Sequence, residues 1–203
     1  MRIGIFGGSF DPIHIAHLLL AETALEQLKL DQVRFVPAAQ SPLKDRQPTI
    51  ATDRREMVHL ATCGQEKFVV DDRELRREGP SYTVDTLEQI KGEYPAAELF
   101  LMMGSDALLQ FNQWRRPDEI CRLARLAVAV RGGEPVPDFR VLAGVASDTQ
   151  INEFQTYTIM MPILELSSTD IRLRASDGRS IRYRTPAAVA AYIQSKKLYQ
   201  AKS

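Results

Sequence analysis

Apolar residues along this chain fall into short, nearly unbroken runs that alternate with stretches where they recur every three or four positions. The short runs predict six strands, at Arg2–Phe6, Gln32–Pro37, Phe68–Asp71, Glu98–Met103, Leu126–Val130 and Thr156–Met161. Helical spacing filled with Leu, Ala, Glu and Gln predicts a helix over Ile15–Leu28. A second helix is predicted to about Thr62, with Asp53 as its N-cap, Glu56 three residues on in a capping-box pattern, and Gly64 as its stop. Further helices are predicted over Thr83–Lys91, Asp106–Phe111, Pro117–Ala124 and Thr169–Ala175. A last one runs to Lys197, capped by Thr185 with Pro186 at its first position. Ala38–Ile50 is polar and carries prolines, so it reads as a loop. Arg73–Pro80 is charged and reads as loop or edge, and Glu134–Asn152 has no clear period.

Strands that alternate with helices predict one α/β domain over residues 1–203, a doubly wound and mostly parallel sheet with a small helical part at the C-terminal end. The strands lack polar alternation, as in a sheet covered on both faces. In such a sheet a ligand sits beyond the carboxyl ends of the strands, where the strand order reverses. The segments of unusual composition all follow a predicted strand: 7–17, 37–44, 104–106, 131–133 and 167–172.

Composition narrows the class. At 203 residues and 44% apolar content the chain can bury a substantial single core. Its formal net charge of zero gives no electrostatic case for nucleic acid as a partner. The first apolar run is too short for a signal sequence, and no segment has the length to span a bilayer. Cys63 and Cys121 lie in apolar helical contexts without a Cys-x-x-Cys, which reads as two buried free thiols. These features predict a soluble cytoplasmic protein, monomeric or homo-oligomeric.

Candidate chemistry begins with GGSFDPIHIAH, residues 7–17, which holds two of the three histidines. Gly7 and Gly8 permit a sharp turn and a close approach of a ligand to the main chain. The helix that follows directs its unpaired N–H groups and positive dipole end at that turn, which suits a phosphate. His14 and His17 are three apart, so they share one face of the first turn and can donate to phosphate oxygens. The same pattern also fits a plain tight strand-to-helix connection. A metal site would need a third ligand, and no further Cys or His is near in sequence. The stretch is neither a P-loop nor G-x-G-x-x-G.

LSSTDIR, residues 166–172, offers a second anion site, with Ser167, Ser168 and Thr169 at a helix start and Arg172 one turn on. A simple serine cap with a surface arginine explains the same residues.

Together the two motifs resemble those of the nucleotidyltransferase superfamily with an H-x-G-H turn and an S-S-T-x-x-R segment. Within it the chain is most similar to the bacterial nicotinate mononucleotide adenylyltransferases. GGSFDPIHIAH, PAAQSPLK (37–44), GPSYTVDTL (79–87), MGSDALLQFNQW (103–114), VAVRGG (128–133), LSSTDIR and VAAYIQSKKLY (189–199) carry the resemblance in the family's order. Two positions depart from the family pattern. Ala16 stands where the glycine between the histidines is usual, and Leu43 stands where the P-P-H-K loop has histidine, with Lys44 retained.

The resemblance implies a Rossmann-like nucleotidyltransferase fold and the joining of ATP to nicotinate mononucleotide, giving nicotinate adenine dinucleotide and pyrophosphate. It implies catalytic roles for His14, His17, Lys44 and Arg172. It implies ATP contacts from Gly7, Gly8, Ser9, Phe10, His17, Asp106, Arg131, Ser168, Thr169 and Arg172. Asp106 would accept from the ribose hydroxyls, a position that equally suits a helix cap. The acceptor nucleotide would meet Ser81, Tyr82, Thr83, Trp114, Arg115 and Lys44, with Trp114 stacked on the pyridine ring and Arg115 and Arg116 adding positive potential. Mg²⁺ would be held mainly by substrate phosphates, with no protein ligand set. Nicotinamide mononucleotide as acceptor, or a non-catalytic nucleotide sensor, are the competing readings.

Overall fold

Successive strand residues alternate between two faces, and here both faces are buried. The computed structural model describes residues 1–39, 48–133 and 135–200. Among these, six strands form one sheet: β1 (Arg2–Gly8), β2 (Gln32–Pro37), β3 (Phe68–Val70), β4 (Glu98–Gly104), β5 (Arg125–Arg131) and β6 (Ile159–Met161). Their order is β3-β2-β1-β4-β5-β6 and every pairing is parallel. The helices are α1 (Ile15–Gln27), α2 (Ala51–Thr62), α3 (Arg73–Arg76), α4 (Thr83–Glu93), α5 (Ser105–Leu109), α6 (Pro117–Leu123), α7 (Asp148–Gln155), α8 (Ser168–Ser176) and α9 (Ala187–Ser195).

One face of the sheet carries Ile3, Ile5, Leu99, Leu101, Met103, Leu126 and Val128, packed with Val84, Leu87 and Ile90 of α4 and Ile151 and Phe154 of α7. The other carries Phe6, Val33, Phe35, Phe100 and Met102, packed with Ala21, Ala24 and Leu25 of α1, Met57 and Val58 of α2, and Val189 and Ile193 of α9. Both layers bury apolar area, at roughly 25 cal/mol per Å² removed from water. That is why the strands read as continuous apolar runs. No helix among the described residues is long and apolar enough to cross a membrane.

The order reverses at β1, which pairs with β2 on one side and β4 on the other. Beyond the carboxyl ends of β1 and β4 the chain therefore diverges to both sides and leaves a crevice. At the far edge of the sheet, the Gln27 side-chain amide donates to the Met160 carbonyl at 3.2 Å and accepts the Met160 N–H at 3.0 Å.

Several local expectations are corrected. Asp53 does not cap α2, whose N-cap is Ile50; Asp53 lies in the first turn and accepts the Tyr192 hydroxyl at 2.7 Å, tying α2 to α9. Thr185 does not cap α9 either. Pro186 is the N-cap, and the Thr185 hydroxyl donates to the buried carbonyl of Ile13 at 2.7 Å. Residues 73–76 are helical rather than loop, because the charges are paired: Arg73 with Asp71 and Glu93, and Glu74 with Arg77. The stretch 134–152 contains a 3-10 turn at Phe139–Leu142 and α7, which Ser147 caps with Gln150 in a capping box. The sixth strand is shorter than expected, because Thr156 ends α7 and its hydroxyl bonds back to Glu153. Cys63 is exposed at the end of α2; Cys121 is buried, and burial pushes its thiol up to about 12.

Candidate active site

Two cavities open at the switch point, and they share the walls formed by Gly8, Ser9, Gly104 and Ala107. The larger, of about 920 Å³, is lined by the 8–17 turn, α5, Arg131 and the start of α8. The smaller, of about 520 Å³, is lined by the ends of β1 and β4, Ser81–Thr83 and Trp114–Arg115.

The turn between β1 and α1 is built around Phe10. Its backbone is left-handed, with φ 45°, and its ring is 2% exposed. The ring packs edge-on to Phe6 and His17, with centroids 5.4 and 5.2 Å away. A Cβ on Gly8 would lie 3.0 Å from that ring, so the glycine is what allows Phe10 to fold over the strand end. A Cβ on Gly7 would meet nothing within 4 Å. It would enter the smaller cavity, which Gly7 lines; Gly7 is not on the wall of the larger one.

His14 is the N-cap of α1, and its backbone N–H donates to His17 Nδ1 at 3.2 Å. A neutral His17 therefore carries its proton on Nε2. The two rings stack with centroids 3.6 Å apart, and both line the larger cavity. Burial first and the charge of Arg131 second hold the His14 pKa down at about 4, so its ring is neutral near pH 7.

Three consecutive carbonyls of the turn are fixed by side chains from the C-terminal part of the chain. Asp11 O accepts from Arg172 at 2.7 Å, Pro12 O from the Ser168 hydroxyl at 2.9 Å and Ile13 O from Thr185 at 2.7 Å. Arg172 also donates to the Thr169 hydroxyl at 3.1 Å, and Ser167 caps α8 through the Asp170 N–H. The LSSTDIR segment thus shapes the histidine turn as well as lining the same cavity. Asp106 and Arg131 are exposed on its opposite wall. Asp106 lies inside the first turn of α5, whose N-cap is Gly104.

In the smaller cavity Trp114 is half-buried and packs on Phe111, with centroids 5.4 Å apart. The Arg115 guanidinium lies 4.5 Å from the centre of the Tyr82 ring. Arg116 does not join Arg115 there; it pairs with Glu88 at 2.9 Å and is absent from the cavity wall. Lys44 and Leu43 lie outside the described residues.

The sequence reading missed two groups. Arg54, 1% exposed, donates to the carbonyls of Ser9, Ala38, Ala39 and Thr49. One guanidinium thereby ties together the loops that follow β1 and β2. Glu74, 7% exposed, lies on the wall of the smaller cavity. Both sit in stretches of ordinary charged composition, and only the capping-box misreading of Asp53 drew attention near Arg54.

The larger cavity presents imidazoles, hydroxyls, guanidinium groups and helix N-termini, a donor set suited to phosphate oxygens. Among the described residues no three His, Cys, Asp or Glu side chains converge as a metal-ligand set.

A family model described as cytidylyltransferase-like matches residues 5–174. A Rhodopirellula baltica protein named "Probable nicotinate-nucleotide adenylyltransferase" is 47% identical over 199 residues, covering 98% of this chain and 93% of that one. A Thermomicrobium roseum protein of the same name is 40% identical, covering 98% of this chain and 92% of that one. Among solved structures, Plasmodium falciparum nicotinic acid mononucleotide adenylyltransferase complexed with NaAD is similar in fold, with a TM-score of 0.73 at 19% identity over 98% of this chain and 97% of that one.

Proposed function

This chain belongs to the cytidylyltransferase-like family, and on that footing we propose that it is a nicotinate-nucleotide adenylyltransferase. It joins ATP and nicotinate mononucleotide into nicotinate adenine dinucleotide with release of pyrophosphate, a step of NAD biosynthesis. The observation that carries the reading into this structure is the shared wall of the two cavities. The phosphate-binding donors line one, the single tryptophan and the Ser81–Thr83 segment line the other, and a phosphate from each side can meet at Gly8–Ser9.

The attacking group is a phosphate oxygen of the acceptor, already ionised near pH 7, so the reaction needs no general base. Attack on the α-phosphorus forms the new P–O bond and breaks the bond to pyrophosphate. Catalysis then rests on in-line alignment and on charge stabilisation. In this reading His17, through Nε2–H, and the neutral His14 donate to the α- and β-phosphate oxygens. Ser168, Thr169 and Arg172 hold the departing pyrophosphate, with Lys44 as a further cation. Gly8, Ser9, Phe10, Asp106 and Arg131 contact the rest of ATP. Trp114 stacks on the pyridine, Thr83 with Ser81 and Tyr82 bonds its carboxylate, and Arg115 favours the acid over the amide. Mg²⁺ accompanies the triphosphate as its counter-ion, since the cavity's own donors suit the phosphate oxygens better than the cation. The free thiols of Cys63 and Cys121 support a cytoplasmic enzyme.

The test is pyrophosphate release from ATP and Mg²⁺ with nicotinate mononucleotide, beside nicotinamide mononucleotide at equal concentration. A strong preference for the acid is expected. Equal rates would remove the acceptor assignment, and no release with either would support a nucleotide sensor.

A further inference from the structure

Glu74 sits on α3 beneath the smaller cavity, and its carboxylate gathers the segments that build that cavity. The Thr86 hydroxyl of α4 donates to Glu74 Oε1 at 2.6 Å, while Thr86 Oγ1 itself accepts from Arg77 at 2.6 Å. The Thr86 hydroxyl has one proton, and a second donor already occupies its oxygen. That proton must therefore go to Glu74, which has to be an acceptor. Arg77 stands 3.6 Å away as its counter-charge. On the same cavity wall Ser81 Oγ accepts the Ala39 N–H at 2.9 Å. Burial raises the Glu74 pKa, while Thr86, Ser81 and the charge of Arg77 oppose that rise.

The network crosses elements that are otherwise separate in the chain. Ala39 follows β2, and Arg54 holds its carbonyl at 3.3 Å. Ser81 leads into the Tyr82–Thr83 cap of α4. The carboxylate therefore holds Thr86, whose N–H bonds the Tyr82 carbonyl at 3.4 Å, while the Ala39–Ser81 bond ties the Ser81–Thr83 segment to the turn after β2. These are the two walls between which a pyridine nucleotide would lie.

We propose that Glu74 is a positioning residue for the acceptor: acting through Thr86 in the first turn of α4, it sets the geometry of the Ser81–Thr83 wall and so the affinity for the pyridine mononucleotide without altering the ATP side. The inference rests on the adenylyltransferase reading of the same site. Glu74→Gln keeps the volume but removes the charge that Arg77 faces and one of the two acceptor oxygens.

The test compares wild type, Glu74→Gln and Thr86→Val. Trp114 is the single tryptophan, so its fluorescence reports mononucleotide binding without turnover. Steady-state kinetics give KM for each substrate. We expect Glu74→Gln to raise Kd and KM for nicotinate mononucleotide about tenfold. KM for ATP, kcat and the thermal midpoint should stay close to wild type. Thr86→Val should reproduce the effect, and it serves alone if Glu74→Gln does not fold. Unchanged acceptor binding in the folded variants overturns the proposal. So does a joint rise of both KM values with a lowered thermal midpoint, which marks a general structural role. A wild type that binds the mononucleotide but makes no product overturns the reaction assignment and leaves the binding comparison decisive. A wild type that does not bind it overturns both.

Discussion

The Tyr199 hydroxyl donates a 2.7 Å hydrogen bond to Oδ1 of Asp11, a residue 188 positions earlier in the chain. Asp11 is 3% exposed, and its second oxygen accepts the Thr49 N–H at 3.3 Å. Burial and the neighbouring Asp11 push the Tyr199 pKa well above its ordinary value, so it remains a donor throughout the working pH range. The turn between β1 and α1 is thus held from the far end of the chain.

Tyr199→Phe removes one donor from a buried carboxylate and leaves the packing in place. It should lower unfolding free energy by about 2 kcal/mol. Urea unfolding at pH 7 measures this, and KM for ATP should rise several-fold beside it. An unchanged midpoint together with unchanged KM would contradict the latch.

His14 makes stability depend on pH. Its pKa is about 4 in the folded protein against 6.5 for the free side chain, so between those values the unfolded chain binds a proton that the folded chain refuses. This contribution is complete above pH 6.5 and is lost as pH falls toward 4. It amounts to about 3 kcal/mol across the window. The urea midpoint should be lower at pH 5 than at pH 7, and the difference should shrink in His14→Asn. An identical pH slope in the two proteins would falsify this account.

His17→Ala should lower kcat by about 10²–10³-fold with a much smaller change in the Kd for ATP, as when one donor to a developing charge is removed. Single-turnover kinetics beside equilibrium ATP binding separate the two. Affinity and kcat falling in equal measure would mean that His17 serves binding only.

Neighbouring glycines should behave in opposite ways. Gly7→Ala meets no atom within 4 Å and should leave the thermal midpoint unchanged or slightly raised, while its methyl enters the smaller cavity and raises KM for the acceptor. Gly8→Ala places its methyl 3.0 Å from the Phe10 ring and should lower the midpoint. Thermal scans of both variants with KM for each substrate decide the point; equal midpoints would refute the role given to Phe10.

What the sequence disclosed and what it hid have a physical explanation. The sheet was legible because each strand carries its own signal, and the histidine turn and the Ser-Ser-Thr segment because their chemistry is packed into a few adjacent residues. Arg54 was not legible, since its meaning lies in four carbonyls from two separate loops. Glu74 was hidden in a charged run, and its partner Thr86 comes twelve residues later in the chain. Asp53 and Thr185 have cap-like side chains and cap-like positions, but tertiary partners at Tyr192 and Ile13 claim them. Local pattern finds elements; it does not find polar groups whose partners are remote.

The pairing of Gln27 with both backbone groups of Met160 bears on the fate of the protein in a crowded solution. A strand edge offers a template on which a foreign strand can grow, and such growth is how sheets seed aggregates. Here the side-chain amide occupies the N–H and the carbonyl that an incoming strand would need. β3 at the opposite edge and β6 itself are each three residues long, so both edges offer only a short template, and Gln27 closes what remains of it at β6. Replacing Gln27 with an apolar residue would leave catalysis alone and make the enzyme prone to stack edge to edge.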